Sequence, residues 1–290
     1  MNNLQGALRS HPNAEYTFKN PCRQLFDLPY PIIKYMIQNP TGAAWKKLIQ
    51  TCKYFFSKNA VFPVRKISIS AEQWVADGEH FNPEQAFPRL WLYDTFEVGY
   101  INANKTIVSS LIPKLFKCHV KIISIFCQSI SWNDYKFLTS SGTFESLDFD
   151  WCSIKYPDGT DVTMDKLLEN VQYLEKFENF GALFQPDTTK KLIKILPGIK
   201  NLHSFKLYAL DESFDFASFI DFIMNNKSID IYIGFITELK FSDGYKQILG
   251  ESFAKIVANP LQMLPYIFCY GFRDDQYNAY QKFYLEMKNQ

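Results

Sequence analysis

Several short stretches of the chain alternate apolar and polar residues with a period of two. In the clearest of them, Leu147 and Phe149 alternate with Asp148 and Asp150. Successive side chains of a β-strand point to opposite faces, so each stretch predicts a strand with one buried face. An apolar-x-x-apolar-x-apolar pattern recurs, with polar substitutions in two cases, at Val64–Ile69, Phe87–Leu92, Val120–Ile125, Phe144–Phe149, Leu174–Asn179, Leu202–Leu207 and Ser228–Ile233.

Helical periodicity fills the segments between these strands. Apolar residues recur at helical spacing in 107–116, 165–173, 188–196, 216–224 and 245–257. The middle positions of successive strands are 23, 33, 24, 30, 28 and 26 residues apart, which centres on the length of a leucine-rich repeat. The predicted fold is α/β: over residues 61–258, an irregular leucine-rich-repeat-like solenoid with parallel strands and flanking helices. An ordinary α/β domain with coincidental spacing is the alternative.

The ends of the chain differ from this pattern. Residues 1–20 are expected to be flexible, and residues 21–60 to form a small helical module. Residues 259–290 are expected to form C-terminal capping helices, because Pro260 and Pro265 interrupt the strand pattern and 276–287 is amphipathic. A polar outer face at the end of a repeat array is what keeps such an array soluble.

The register of the strands predicts which side chains line the concave face of the sheet. Residues between the buried ones point to that face, and aromatic and charged residues there suit a protein-binding surface. The predicted substrate-binding residues are Trp91, Tyr93, Phe126, Asp148, Asp150, Glu178, Phe180, Lys206, Tyr208 and Tyr232. A register error of one residue would turn this set inward.

The N-terminal module contains two predicted helices. Pro31 suits the first turn of the first helix, and Asn39-Pro40 ends it. Thr41 is a plausible N-cap for the second helix. From Trp45 to Phe56, apolar residues recur at helical spacing and predict one continuous run. Burial of this apolar stripe in the core of its own domain is the simplest structural interpretation.

The order of residues in this module resembles an F-box. That motif has a Leu-Pro start, aliphatic residues on a first helix, and a later apolar-Cys-Lys turn ending in aromatic residues. The segment KLIQTCKYFF is similar to a large group of nematode F-box proteins, although Tyr30 occupies a position that is commonly acidic. The resemblance implies that the module docks on a Skp1-like adaptor of a cullin ligase core. The implied adaptor-binding residues are Leu28, Pro29, Ile32, Ile33, Ile37, Trp45, Leu48 and Cys52.

Charge is divided unevenly along the chain. Residues 1–66 carry ten Lys and Arg against two acidic residues, and the remainder carries 21 basic against 28 acidic residues. The head is therefore +8 and the body −7, which favours an acidic partner for the head. A Skp1-like adaptor would satisfy this expectation. A nucleic acid would do so as well, so a nucleic-acid-binding protein or a general interaction scaffold stays open as the alternative.

Motifs that carry chemistry are sparse, so we expect neither an enzyme nor a cofactor. The four histidines fit no metal-ligand spacing, and Cys118, His119 and Cys127 match no common zinc template. The pair Asp148 and Asp150 could perform acid–base work if a pocket perturbed their pKa values. A polar N-terminus, scattered cysteines and the lack of long apolar runs predict a cytoplasmic or nuclear protein that does not span a membrane. An F-box adaptor would bind an unknown protein substrate.

Overall fold

The computed structural model of the protein describes residues 28–70, 73–83, 89–99, 104–142, 144–169, 171–226, 228–235, 241–259, 261 and 263–288. The predicted flexible segment 1–20 and the start of the helical module, 21–27, lie outside the described residues. Contacts divide the chain into two units, Met1–Asn39 and Pro40–Gln290.

The described part of the first unit is helix α1 (Tyr30–Gln38). Pro31 lies in its first turn, as the sequence predicts, where the missing N–H has no intrahelical partner to lose. At its end, the backbone N–H and the side-chain amide of Asn39 both donate to the carbonyl of Tyr35. Pro40 cannot continue the helix.

The second unit contains the remaining described elements. The helices are α2 (Gly42–Thr51), α3 (Lys53–Lys58), α4 (Ile107–Leu111), α5 (Trp132–Thr139), α6 (Met164–Leu168), α7 (Thr188–Ile195), α8 (Phe216–Asn225), α9 (Asp243–Ala258) and α10 (Asp275–Lys288). The strands are β1 (Val61–Ser70), β2 (Gln73–Ala76), β3 (Glu79–His80), β4 (Arg89–Val98), β5 (Leu115–Cys118), β6 (Ile122–Phe126), β7 (Ser129–Ser131), β8 (Ser146–Asp150), β9 (Ser153–Lys155), β10 (Lys176–Phe180), β11 (Ser204–Leu210), β12 (Asp230–Phe235) and β13 (Tyr266–Cys269).

One large sheet organises this unit. Its strands lie in the order β13-β12-β11-β10-β8-β6-β4-β1-β2-β3, with β5 also paired to β4. From β1 to β13 every neighbouring pair is parallel, and at the other edge β2 pairs antiparallel with both β1 and β3. A mixed α/β fold with a large, mostly parallel sheet and flanking helices is therefore confirmed. Strands β7 and β9 form a separate small parallel sheet.

Two rows of apolar side chains form the buried face of the sheet. One row joins Ile67, Phe96, Ile123, Leu147, Phe177, Phe205 and Ile231 through direct strand pairing. All of these residues are at most 2% exposed, and they pack in one core with the buried residues of α4 to α10. The predicted inward orientation of Leu147 and its equivalents is thus confirmed.

The register of β4 differs from the prediction. The sequence pattern placed Leu90 and Leu92 as the equivalents of Ile67 and Ile69, but those partners are Phe96 and Val98. Leu90 and Leu92 instead pair with the extra strand β5. Strand β4 is long enough to carry two pairs of alternating apolar residues, Leu90 with Leu92 and Phe96 with Val98. Short-range periodicity cannot tell which pair continues the rows of the sheet. When Phe96 is taken as the middle position of this strand, the spacings from Ile67 to Phe96 and from Phe96 to Ile123 become 29 and 27 residues rather than 23 and 33.

The chain leaves the central strands in one recurring way. Cys127, Trp151, Gly181 and Ala209 all have positive φ, between 53° and 82°, directly after their outward-facing aromatic or acidic residue. The N–H of Cys127, Trp151 and Gly181 then donates to a carbonyl of the next strand, at 2.7, 2.9 and 3.1 Å. This left-handed residue turns the chain away from the sheet while the interstrand hydrogen bonding continues for one more position.

Gln128 follows the turn after β6 and is almost completely buried. Its side-chain oxygen accepts from the N–H groups of Ile107 and Val108, and its amide donates to two backbone carbonyls. It therefore satisfies the first turn of α4. In the next unit, Cys152 donates to the carbonyl of Ile125. Side-chain hydrogen bonds from residues just after β6 and β8 thus tie the ends of these strands to neighbouring backbone.

The predicted continuous helix from Trp45 to Phe56 is interrupted. Thr41 caps α2 by accepting from the N–H of Ala44 at 3.2 Å, as predicted. Cys52 is extended, with φ −151° and ψ 122°, and separates α2 from α3. The break lets Phe55 contact Trp45 edge to face within the core of this unit.

Residues 259–290 add a strand before their helix. Strand β13 extends the sheet beside β12, and α10 follows it. The hydroxyls of Tyr277 and Tyr280 accept from the N–H groups of Cys269 and Ile267, which are the free donors of this edge. Side-chain hydrogen bonds thus protect an edge that could otherwise pair with another strand. None of the described helices is both long and apolar enough to cross a membrane.

Candidate functional site

The face of the sheet opposite the core carries two rows of half-exposed side chains, which we call the ladder face. Because the strands are parallel and in register, equivalent residues stand side by side across the sheet. The rows are Glu97, Ser124, Asp148, Glu178, Lys206, Tyr232 and Tyr266, and then Phe126, Asp150, Phe180 and Tyr208. Eight of the ten predicted substrate-binding residues lie on it.

An aromatic stripe runs along one part of the ladder face. Its rings follow one another in the order Trp151, Phe180, Tyr208, Tyr232, Tyr266 and Tyr284. Successive ring centroids are 4.6, 5.8, 4.6, 4.8 and 5.1 Å apart, which is normal aromatic contact. The side chain of Trp151, at the start of the stripe, is 52% exposed.

Gly234 gives the stripe its close packing. A Cβ atom at this position would lie 3.3 Å from the ring of Tyr232 and 3.4 Å from the ring of Tyr208. A larger residue at this position would require one of these rings to shift by a few tenths of an ångström. Glycine therefore allows the two rings to lie close to the backbone of β12.

An acidic pocket adjoins the stripe, with a volume of about 300 Å³. Its walls are formed by Ser68, Ser70, Glu97, Val98, Gly99, Ser124, Ile125, Phe126, Asp148 and Asp150. The hydroxyl of Ser124 donates to Oδ2 of Asp148 at 2.9 Å, and Ser68 donates to Glu97 at 3.4 Å. The other oxygen of Asp148, Oδ1, is buried and has no hydrogen-bond partner among the described residues.

Burial and neighbouring charge make Asp148 difficult to ionise. Burial, chiefly, raises the pKa of Asp148 to about 6, and the charge of Asp150 is the next largest cause. Glu178 also raises this pKa, whereas Ser124 and Lys206 lower it. The pKa of Asp150 is raised by burial and by Glu178. A positive charge in the pocket would lower both pKa values and supply the donor that Oδ1 lacks.

The perturbed pair also meets the condition under which acid–base chemistry was considered from the sequence. A carboxyl group with a pKa near 6 can exchange a proton near neutral pH. Within the pocket, the hydroxyls of Ser68 and Ser124 donate to Glu97 and Asp148, so each of these carboxylates accepts a hydrogen bond. The arrangement suits the binding of a cationic group.

Trp91 and Tyr93 do not lie on the ladder face. Trp91 is 1% exposed, makes an edge contact with His119 and lies under the ammonium group of Lys117. Tyr93 packs against the start of α2 so closely that a Cβ atom on Gly42 would lie 2.4 Å from its ring. Trp91 is therefore covered and Tyr93 is half-buried. In the corrected register, Glu97 and Gly99 take their places on the ladder face.

Five of the residues implied to bind an adaptor lie in helix α1 or directly before it. Leu28, Pro29 and Ile32 are exposed, with exposed fractions of 47% for Leu28 and 46% for Ile32. Ile37 is half-buried and Ile33 is buried. The exposed residues are available to a partner, and Ile33 is not.

The other three implied residues belong to the second unit. Trp45 is fully buried, and its indole N–H donates to the carbonyl of Val61 at 3.2 Å. It supports the core and offers no surface, which corrects its assignment as a docking residue. Leu48 and Cys52 are half-buried.

Several basic residues of the head are neutralised within the second unit. Lys46 pairs with Asp77, Arg65 pairs with Asp94 at 3.1 Å, and Lys66 pairs with Glu97 at 2.7 Å. Asp77 also accepts from the backbone N–H groups of Arg65 and Lys66. The positive charge counted from the sequence is therefore partly neutralised, which weakens the case for a nucleic acid on this segment.

Sequence reasoning missed four residues of the ladder face and its stripe: Glu97, Trp151, Tyr266 and Tyr284. The second apolar set of β4 would have indicated Glu97. Alternation in Tyr266–Cys269 would have indicated Tyr266, had the prolines around it not suggested a boundary. Tyr284 comes from a helix, and strand periodicity has no bearing on it.

No group of three or more His, Cys, Asp or Glu residues within the described ranges could hold a metal ion. The described cysteines, at 52, 118, 127, 152 and 269, are not joined in disulfide bonds. Comparison with protein-family models and with curated proteins finds no match for this chain.

Proposed function

We propose that this chain is the substrate-recognition adaptor of an SCF-type (Skp1–cullin–F-box) ubiquitin ligase, acting in the cytoplasm or nucleus. The ladder face would bind a protein substrate, and the N-terminal segment would dock on a Skp1-like adaptor. The chain would perform no catalysis of its own. Holding the substrate on the ligase raises its effective concentration at the site of ubiquitin transfer.

The ladder face is the observation that carries this proposal. Aromatic rings beside charged groups, on a rigid in-register sheet, are the composition that concentrates binding energy at protein interfaces. Strand pairing fixes the backbone and the spacing between these side chains, so binding needs little ordering of the backbone. A leucine-rich-repeat-like interpretation of the strand–helix units agrees with this use of the sheet.

Docking on the adaptor is supported by the F-box resemblance and by the surface of α1. Four large apolar residues on or beside this short helix are exposed: Leu28, Tyr30, Ile32 and Tyr35. Exposed apolar groups this dense commonly mark an interaction surface. Two of the four, Leu28 and Ile32, occupy motif positions of the resemblance.

Co-precipitation of the full chain with a purified Skp1-like adaptor tests the docking. The variant L28A/I32A should reduce binding at least tenfold, because it removes apolar contact area while leaving buried residues untouched. Y173A, which truncates an exposed tyrosine of the second unit, serves as the control and should bind normally. Wild-type chain that fails to bind the adaptor, or L28A/I32A that binds as well as Y173A, would remove the ligase role.

A further inference from the structure

The acidic pocket and the aromatic stripe form one continuous surface of the ladder face. The pocket lies over strands β1, β4, β6 and β8, and the stripe continues over β10 to β13. Phe126 and Asp150 border both parts, since Asp150 pairs with Phe126 on one side and Phe180 on the other. One ligand could therefore contact both.

Charge at the pocket selects for a cation. Three carboxylates line it, from Glu97, Asp148 and Asp150, and a fourth, from Glu178, lies beside Asp148 on the next strand. Two ammonium groups pair with them, Lys66 with Glu97 at 2.7 Å and Lys206 with Glu178 at 3.4 Å, which leaves two negative charges. The unpaired oxygen of Asp148 needs a hydrogen-bond donor, and a guanidinium or ammonium group supplies both donor and charge.

The length of the stripe argues for a chain segment rather than a small molecule. Neighbouring strands lie about 4.8 Å apart, so the four steps from β8 to β13 cover about 19 Å. An extended segment of about six residues has this length. Half-exposed tyrosines and a tryptophan offer flat apolar surface for its side chains, and they can also hold a cation over their rings.

We propose that the ladder face binds an extended basic segment of a protein, with an arginine or lysine side chain in the acidic pocket and an apolar or aromatic side chain on the stripe. This rests on the proposed protein-binding role of the face and adds the chemistry of the partner. The distance from β8 to β11 or β12 places the two anchoring residues about three to five positions apart.

A selection from randomised 12-residue peptides on the immobilised full chain tests the proposal. The expected pool is enriched in Arg and Lys over Asp and Glu, with an apolar or aromatic residue three to five positions from the cation. For a selected peptide, D148N/D150N should weaken binding at least tenfold, and Y208A should weaken it as well. D275N, which neutralises an exposed carboxylate on α10, should leave binding unchanged.

Acidification gives a second readout. Asp148 faces Asp150, Glu178, Lys206 and Ser124, and its pKa of about 6 means that it loses most of its charge by pH 5.5. Peptide affinity should fall about fourfold between pH 7.5 and 5.5 in the wild type, and much less in D148N/D150N.

The outcomes separate this inference from the ligase role. Enriched peptides without a basic bias, or equal binding by D148N/D150N and wild type, would overturn the basic partner while leaving the face a protein-binding surface. No enrichment at all would overturn the use of the ladder face for extended segments. Loss of adaptor docking alone would remove the ligase role and leave the peptide result intact.

Discussion

Asp148 should lower the stability of the folded protein at neutral pH, and its replacement by Asn should raise it. The pKa of this carboxyl is raised from 3.8 to about 6 in the folded chain. Each pKa unit corresponds to about 1.36 kcal/mol, so a shift of this size, counted in full, would lower the free energy of unfolding at neutral pH by about 3 kcal/mol. Water still reaches part of the group and screens it, which reduces the expected gain for D148N to about 1–1.5 kcal/mol.

The pH dependence fixes the sign of this effect. A raised pKa means that the folded state binds a proton more readily than the unfolded state. The contribution of Asp148 is therefore most favourable below pH 3.8 and is lost as pH rises through 6. Asn keeps the acceptor for Ser124 and never ionises, so D148N and wild type should differ at pH 7.5 and converge near pH 4.

Urea unfolding of both proteins at pH 4, 5, 6 and 7.5, followed by circular dichroism, measures this difference. D230N is the matched control, because Asp230 is exposed on the same sheet, and its stability should follow the wild type throughout. A D148N protein that is less stable than wild type at pH 7.5, or a difference that does not change with pH, would refute the assigned cause. A more stable variant with lost peptide binding would show that the site trades stability for function.

Three further substitutions probe the local packing and backbone. G42A should destabilise the protein by about 1–3 kcal/mol, because the new Cβ would lie 2.4 Å from the ring of Tyr93. G244A, in open space on α9, should be neutral or stabilising, and thermal melts of the two variants distinguish a clash from a general effect of losing glycine. A209G should leave the free energy of unfolding unchanged or raise it by up to about 1 kcal/mol in chemical denaturation, because Ala209 has φ 58° and glycine adopts that conformation without strain. A clear loss of stability would show that the backbone of Ala209 is not strained. Q128A should lower the free energy of unfolding by about 2–3 kcal/mol in the same assay, because it leaves buried N–H groups at the start of α4 without an acceptor. A loss below about 0.5 kcal/mol would mean that water replaces the side chain.

Local patterns were sufficient for much of the sheet and its helices. The alternation of Leu147 and Phe149 with Asp148 and Asp150 predicts which side faces the core, because strand geometry alone sends neighbours to opposite faces. Thr41 as a cap and Pro40 as a stop act through their own backbone and side chain. All eight predicted helical stretches overlap observed helices for the same reason.

Tertiary structure decided the outcome where the local sequence pattern allowed two registers of the same strand. Strand β4 offers two apolar sets, and only the presence of β5 beside the first assigns the second to the repeating rows. That choice left Trp91 buried beside β5 and brought Glu97 to the acidic pocket. Periodicity measures neighbours along the chain, whereas burial and the pKa of Asp148 depend on groups from other strands. The sequence by itself thus determined the faces of the strands, and the three-dimensional pairing determined which residues share a site.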